Sequence, residues 1–77
     1  MQVTVKYFGQ VAEITECNNE CFTANKAPIA TLLELIYTKH PSLKGISFSV
    51  AQNQELVDID TTLTGQEIAL LPPFAGG

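Results

Sequence analysis

An α+β roll, with one main helix packed on a mixed sheet of about five strands, is the fold class that this sequence predicts. Three observations lead there. Apolar residues alternate at a period of two from Gln2 to Phe8, and they recur at helical spacing from Ile29 to Ile36. A nearly continuous apolar run, Ile68 to Leu71, then follows a polar stretch and is cut off by Pro72-Pro73.

In the first strand Val3, Val5 and Tyr7 point one way and Thr4, Lys6 and Phe8 the other, the pattern of a half-buried strand. Gly9 breaks it, and Gln10 to Ile14 has room for no more than a helical turn. Asn18-Asn19 supplies turn chemistry before Glu20 to Ala24, where Cys21 and Thr23 oppose Phe22 and Ala24. The opening segment therefore reads as a hairpin with an enlarged loop.

The helix is expected over Pro28 to His40. Pro28 suits the first helical position, where a missing N–H costs nothing. Ile29, Leu32, Leu33 and Ile36 form its apolar face, with Tyr37 at the margin and Leu35 off the stripe. Pro41 ends it, because the residue before a proline is pushed out of helical geometry. Ile46 to Ala51 alternates again, with Ile46, Phe48 and Val50 on one side. Gln52-Asn53-Gln54-Glu55 is a polar turn, Leu56 to Asp60 a short answering strand, and Thr61 to Gln66 a loop. Ile68 to Leu71 is polar on neither face, as in a central strand covered on both sides. This order lets the first and last strands pair in parallel at the centre of the sheet, which is the β-grasp arrangement. Residues 1–73 form the domain and 74–77 a flexible C-terminal tail.

The net charge of −4, with four lysines and no arginine, argues against binding a phosphate backbone and suits a basic protein partner. No apolar run approaches a membrane span, and Met1 to Lys6 reads as a strand and not a signal peptide, so a cytoplasmic location is expected. No metal site is expected: Cys17 and Cys21 would need two more good ligands, and His40 is the only histidine. The two thiols read as small residues flanking a turn. His40 suits the last helical turn, where the dipole favours it, and carries no catalytic role. Glu13, Glu16, Asp58, Asp60 and Glu67 form no acid–base pair and read as a solvated acidic face that a basic partner can meet.

The tail is where chemistry concentrates. Pro72 and Pro73 end the strand and stiffen the exit into an extended rod. Phe74 offers an apolar anchor for a partner's pocket, and Ala75, Gly76 and Gly77 thin the chain so that it can thread a narrow site. The reactive group is expected to be the main-chain carboxylate of Gly77, with Gly76 as its steric companion. A carboxylate does no acyl chemistry alone; joined to AMP it becomes attackable. Sulfur in place of AMP gives a thiocarboxylate, and an amine gives an amide. The sequence has no phosphate-cradling Gly-rich loop and no basic cluster, so ATP must be used by an activating partner. The chain is expected not to be catalytic by itself and to hold no stable cofactor.

Tyr7-Phe8-Gly9-Gln10-Val11-Ala12-Glu13-Ile14, Asn53-Gln54-Glu55-Leu56-Val57 and, above all, Gly65 through Gly77 carry a resemblance along essentially the whole chain. The sequence resembles the MoaD/ThiS ubiquitin-like sulfur carriers, in the MoaD branch that forms the small subunits of molybdopterin synthase. It departs from that pattern at Gln66, where an aspartate is common, and at Ala12, where an arginine is common. The resemblance implies that an E1-like adenylyltransferase/sulfurtransferase adenylates Gly77 and installs sulfur as a thiocarboxylate. It implies insertion of the tail into a large subunit, in a heterotetramer, and sulfur donation to cyclic pyranopterin monophosphate to form molybdopterin. It also implies partner contacts at Phe74, Leu71, Pro72, Pro73, Ala75, Phe8 and Leu56, although alternation alone leaves open whether Phe8, Leu56 and Leu71 are core. Two other uses of the same tail stay open: a carrier for thiamine thiazole synthesis, and a ubiquitin-like modifier joined to lysines.

Overall fold

The computed structural model describes residues 1–64 and 67–73. Alternation at the start becomes strand β1, Gln2–Tyr7, whose Val3, Val5 and Tyr7 are buried. Helix α1, Gly9–Thr15, leads to β2, Asn19–Thr23, which pairs antiparallel with β1. Helix α2, Ile29–Lys39, and a 3-10 helix, Pro41–Gly45, follow. Strands β3, Ser49–Gln52, β4, Glu55–Leu56, and β5, Glu67–Leu71, complete a sheet of order β2-β1-β5-β3-β4. β5 pairs parallel with β1 and antiparallel with β3, so the fifth strand in sequence lies at the centre.

Helix α2 closes one face of the sheet. Its Ile29, Leu32, Leu33 and Ile36 are buried in one cluster with Val3, Val5, Tyr7, Ile68 and Leu70. Leu43 of the 3-10 helix and Leu63 of the loop before β5 fill the margins of that core. Pro28 caps the helix from an extended conformation (ψ 149°), so α2 starts at Ile29, one residue after the expected start. Leu35 stands exposed, off the apolar stripe. Among the described residues no helix is long and apolar enough to cross a membrane.

Five elements differ from the sequence expectation, each for a visible reason. Gly9–Thr15 is a seven-residue helix and not a single turn. Val11 and Thr15, four apart, are buried together, and Glu16, at φ 60°, caps the end by donating its N–H to Ala12 O. β3 begins at Ser49 instead of Ile46, because Leu43 O still accepts from Ile46 N in closing the 3-10 turn. Gln52 belongs to β3 and is buried, not part of a turn. It stands opposite Ile68 on the core side, where its Nε2 donates to Thr62 O at 3.1 Å and its Oε1 accepts from Thr64 N at 2.9 Å. The turn itself is only Asn53-Gln54, both at positive φ (54° and 68°), a two-residue hairpin loop. β4 therefore ends at Leu56, and the backbone from Ile59 to Thr61 turns to accept hydrogen bonds from Ala30 N and Ile29 N at the start of α2. Finally, β5 is central but covered on one face only. Ile68 and Leu70 are buried, whereas Glu67, Ala69 and Leu71 are partly open.

Candidate functional site

The open face of the sheet is the first candidate. Because the pleat alternates, residues paired across neighbouring strands share a face. Lys6 pairs with Ala69, Ala69 with Ala51, and Ala51 with Leu56, which sets one row of side chains across four strands. Phe8, Gln54, Glu67 and Leu71 complete a groove of about 430 Å³ over that row. Phe8 is 43 % exposed and Leu56 51 %, so neither is core; Leu71 is half-buried. An apolar face of this kind, left bare by the helix, is the usual mark of an interaction surface. Lys6 Nζ and Glu67 Oε2 form an ion pair at 3.2 Å along its edge.

Strand β5 ends beside this face. Leu71 still pairs with Ser49 of β3, and Phe8 N donates to Leu70 O at 3.1 Å, so β5 is tied on both sides almost to its end. Pro72 and Pro73 follow, exposed and unable to donate to a ladder. Phe74, Ala75, Gly76 and Gly77 lie outside the described residues, as do Gly65 and Gln66. Of the residues singled out from the sequence, the fold brings Phe8, Leu56 and Leu71 to one groove and starts Pro72 and Pro73 beside it.

A second polar cluster sits on the far edge of the core. Glu20 Oε1 accepts from Tyr7 OH and from His40 Nε2, both at 2.7 Å, and Glu20 Oε2 pairs with Lys39 Nζ. Burial pushes the Glu20 carboxyl up, but hydrogen bonds from Lys39, Tyr7 and His40 outweigh it and hold the group down to about 2 from an ordinary 4.5. Burial, and then the bond to Glu20, pushes the Tyr7 phenol well above its usual range. The Glu20 carboxylate also raises Lys39, which lies over the Phe22 ring at 5.8 Å. This cluster ties β1, β2 and the end of α2 together and accounts for His40 structurally. Cys17 and Cys21 are free thiols, and among the described residues no group of three or more His, Cys, Asp or Glu is placed to hold a metal ion.

The family model described as the ThiS family matches residues 5–77. The chain belongs to the ThiS family. It is 34 % identical, over all of both chains, to the molybdopterin synthase sulfur carrier subunit of Chlamydomonas reinhardtii. It is 32 % identical, again over all of both chains and with a TM-score of 0.69, to a chain from the protein–protein complex of subunits 1 and 2 of molybdopterin-converting factor from Helicobacter pylori. Small archaeal modifier protein 1 of Haloferax volcanii superposes with a TM-score of 0.83 over 95 % of this chain and 98 % of that one, at 20 % identity, a likeness of fold. The ubiquitin-like β-grasp fold expected from the order of strands is the one this family member adopts.

Proposed function

We propose that this family member is the sulfur carrier subunit of molybdopterin synthase. What carries the reading is the end-to-end match to a curated carrier subunit, with neither chain left uncovered. The open groove at Phe8, Leu56 and Leu71 supports it, since a carrier must be held by its partners while its tail reaches into them.

The chemistry follows from the carboxylate of Gly77. An E1-like enzyme presents ATP; the carboxylate attacks the α-phosphorus, pyrophosphate leaves, and an acyl adenylate forms. A hydrosulfide equivalent then adds to the carbonyl and expels AMP, which keeps the carboxylate's former oxygen. The product is a thiocarboxylate, a strong nucleophile at neutral pH. At one active site of the large subunit two such carriers act in turn on the same cyclic pyranopterin monophosphate, each giving one sulfur and leaving with its Gly77 carboxylate restored, to build the dithiolene of molybdopterin. A heterotetramer holds one carrier at each of its two sites. Phe74, Pro72, Pro73 and Ala75 guide the tail, and Gly76 lets it pass a narrow entrance.

The test is the intact mass of the chain after incubation with its activating enzyme, ATP and a sulfur donor. Replacement of one oxygen by sulfur at Gly77 supports the carrier; an unchanged mass with an active enzyme overturns it. A chain extended by one residue beyond Gly77 is expected to fold normally and gain no AMP. Formation of molybdopterin on adding the large subunit separates this pathway from thiazole synthesis, and stable adducts on lysines would point to a protein modifier instead.

A further inference from the structure

Gly9 is placed against the base of the tail. It is the first residue of α1 and has φ +56°, a left-handed conformation that L side chains rarely adopt. Its α-carbon is also covered: a methyl group there would lie 2.7 Å from Pro72 Cγ, 3.6 Å from Pro72 Cδ and 3.9 Å from Pro72 Cβ. The first distance is shorter than real carbon contacts. A long side chain could swing away, but a proline ring can only change its pucker, because its Cδ is bonded to its own backbone nitrogen. Relief would have to come from the chain at Pro72, one residue after the last pairing of β5 with β3. On the other side, Phe8 N holds Leu70 O at 3.1 Å and fixes the distance between the two segments.

We propose that Gly9 is a positioning residue for the tail: its bare α-carbon seats the Pro72 ring and thereby sets the direction in which the chain leaves the domain. The chemistry at stake rests on the sulfur-carrier reading; the geometry rests on the Gly9–Pro72 packing alone. Docking uses the sheet face, while delivery of the carboxylate to ATP depends on where the stiff Pro72-Pro73 rod points. A bulkier residue 9 misdirects the rod and leaves the docking face in place.

The experiment measures pyrophosphate release by the activating enzyme with ATP, as a function of carrier concentration, in a cycle of wild type, Gly9→Ala, Pro72→Ala and the double variant. Gly9→Ala is expected to lower kcat roughly tenfold or more with KM changed less than about twofold, the pattern of a misplaced reacting group. In the Pro72→Ala background, where the clashing Cγ is gone, the same substitution should cost less than about threefold in kcat. Equal losses in both backgrounds, or a loss confined to KM, would overturn the proposal, because strain at residue 9 alone does not depend on the proline ring. Should Gly9→Ala melt too low to assay, Gly9→Asn takes its place, since asparagine tolerates positive φ yet carries the same Cβ. If wild type releases no pyrophosphate with an enzyme preparation of proven activity, the carrier reading fails, and NMR decides the packing. Cα–Hα residual dipolar couplings at Pro72 and Pro73 should then shift in the glycine variant, and unchanged couplings would overturn the seat.

Discussion

The Tyr7 hydroxyl and the Glu20 carboxylate meet at 2.7 Å, and this bond joins the C-terminal end of β1 to the edge strand β2 at a point where His40 arrives from the end of α2. Glu20 consequently makes stability depend on acid. Its folded value of about 2 lies below the ordinary 4.5, so the contribution is complete above about pH 4.5 and disappears as pH falls toward 2. Urea midpoints measured between pH 6 and pH 2.5 should fall more steeply for wild type than for Glu20→Gln. At pH 7 that substitution is expected to cost roughly 1–3 kcal/mol, since it weakens three hydrogen bonds at a half-buried site. A flat difference between the two proteins across that range would count against the cluster.

Truncating the exposed groove should separate binding from folding. Phe8→Ala and Leu56→Ala remove side chains that solvent already reaches, so each is expected to change stability by about 0.5 kcal/mol or less. If the groove receives a partner, each should weaken the complex with the large subunit by about 1–3 kcal/mol, or 5- to 150-fold in Kd. Calorimetric titration beside a thermal melt checks both halves. A full-strength complex formed by the double variant would remove the groove from the interface.

Gln52 behaves in the opposite way. Its amide joins β3 to the backbone of Thr62 and Thr64 from a buried position, so Gln52→Leu leaves a carbonyl and an N–H without their partner. The expected loss is about 2–4 kcal/mol in urea denaturation, despite the gain in apolar volume. Binding to partners should be unchanged once folding is corrected for.

The ion pair of Lys6 and Glu67 is expected to matter little for stability. Both side chains are substantially exposed, so Lys6→Gln should shift the unfolding free energy by about 0.5 kcal/mol or less, and less still in high salt. A larger change in partner affinity than in stability would place the pair in the interface.

Much of this could be read in the residues. The period of two in Gln2–Tyr7, the apolar stripe of Ile29, Leu32, Leu33 and Ile36, and the central position of β5 all appear as expected. They were legible because burial repeats at the period of the backbone. What was not legible depended on partners remote in sequence. Gln52 looks like a turn residue until Thr62 and Thr64 are brought beside it. The i, i+4 spacing of Val11 and Thr15 was a signal for a longer α1, hidden by a threonine that the sequence gives no reason to bury. Ala69 and Leu71 make β5 look covered on both faces, because an apolar residue on an open face has the same composition as one inside the core. The groove is therefore half-legible: Phe8, Leu56 and Leu71 stand out in the sequence, whereas Lys6, Ala51 and Ala69 join them only through strand pairing. In the sequence Gly9 reads as a strand breaker within the opening motif, and nothing local reveals the proline ring that lies across it.

The parallel pairing of β1 with β5 has a consequence for synthesis of the protein. The sheet cannot close when its first four strands have been made, because β1 and β3 each need β5 between them as their hydrogen-bonded neighbour. A nascent chain that has finished α2 holds a hairpin and an apolar helix with no completed floor beneath them, and contacts so distant in sequence form late. Folding thus waits for the segment that immediately precedes the prolines. Copies cut short before β5 stay open to proteases and chaperones. A cell that counts folded molecules of this protein therefore counts molecules in which translation has already passed Leu71.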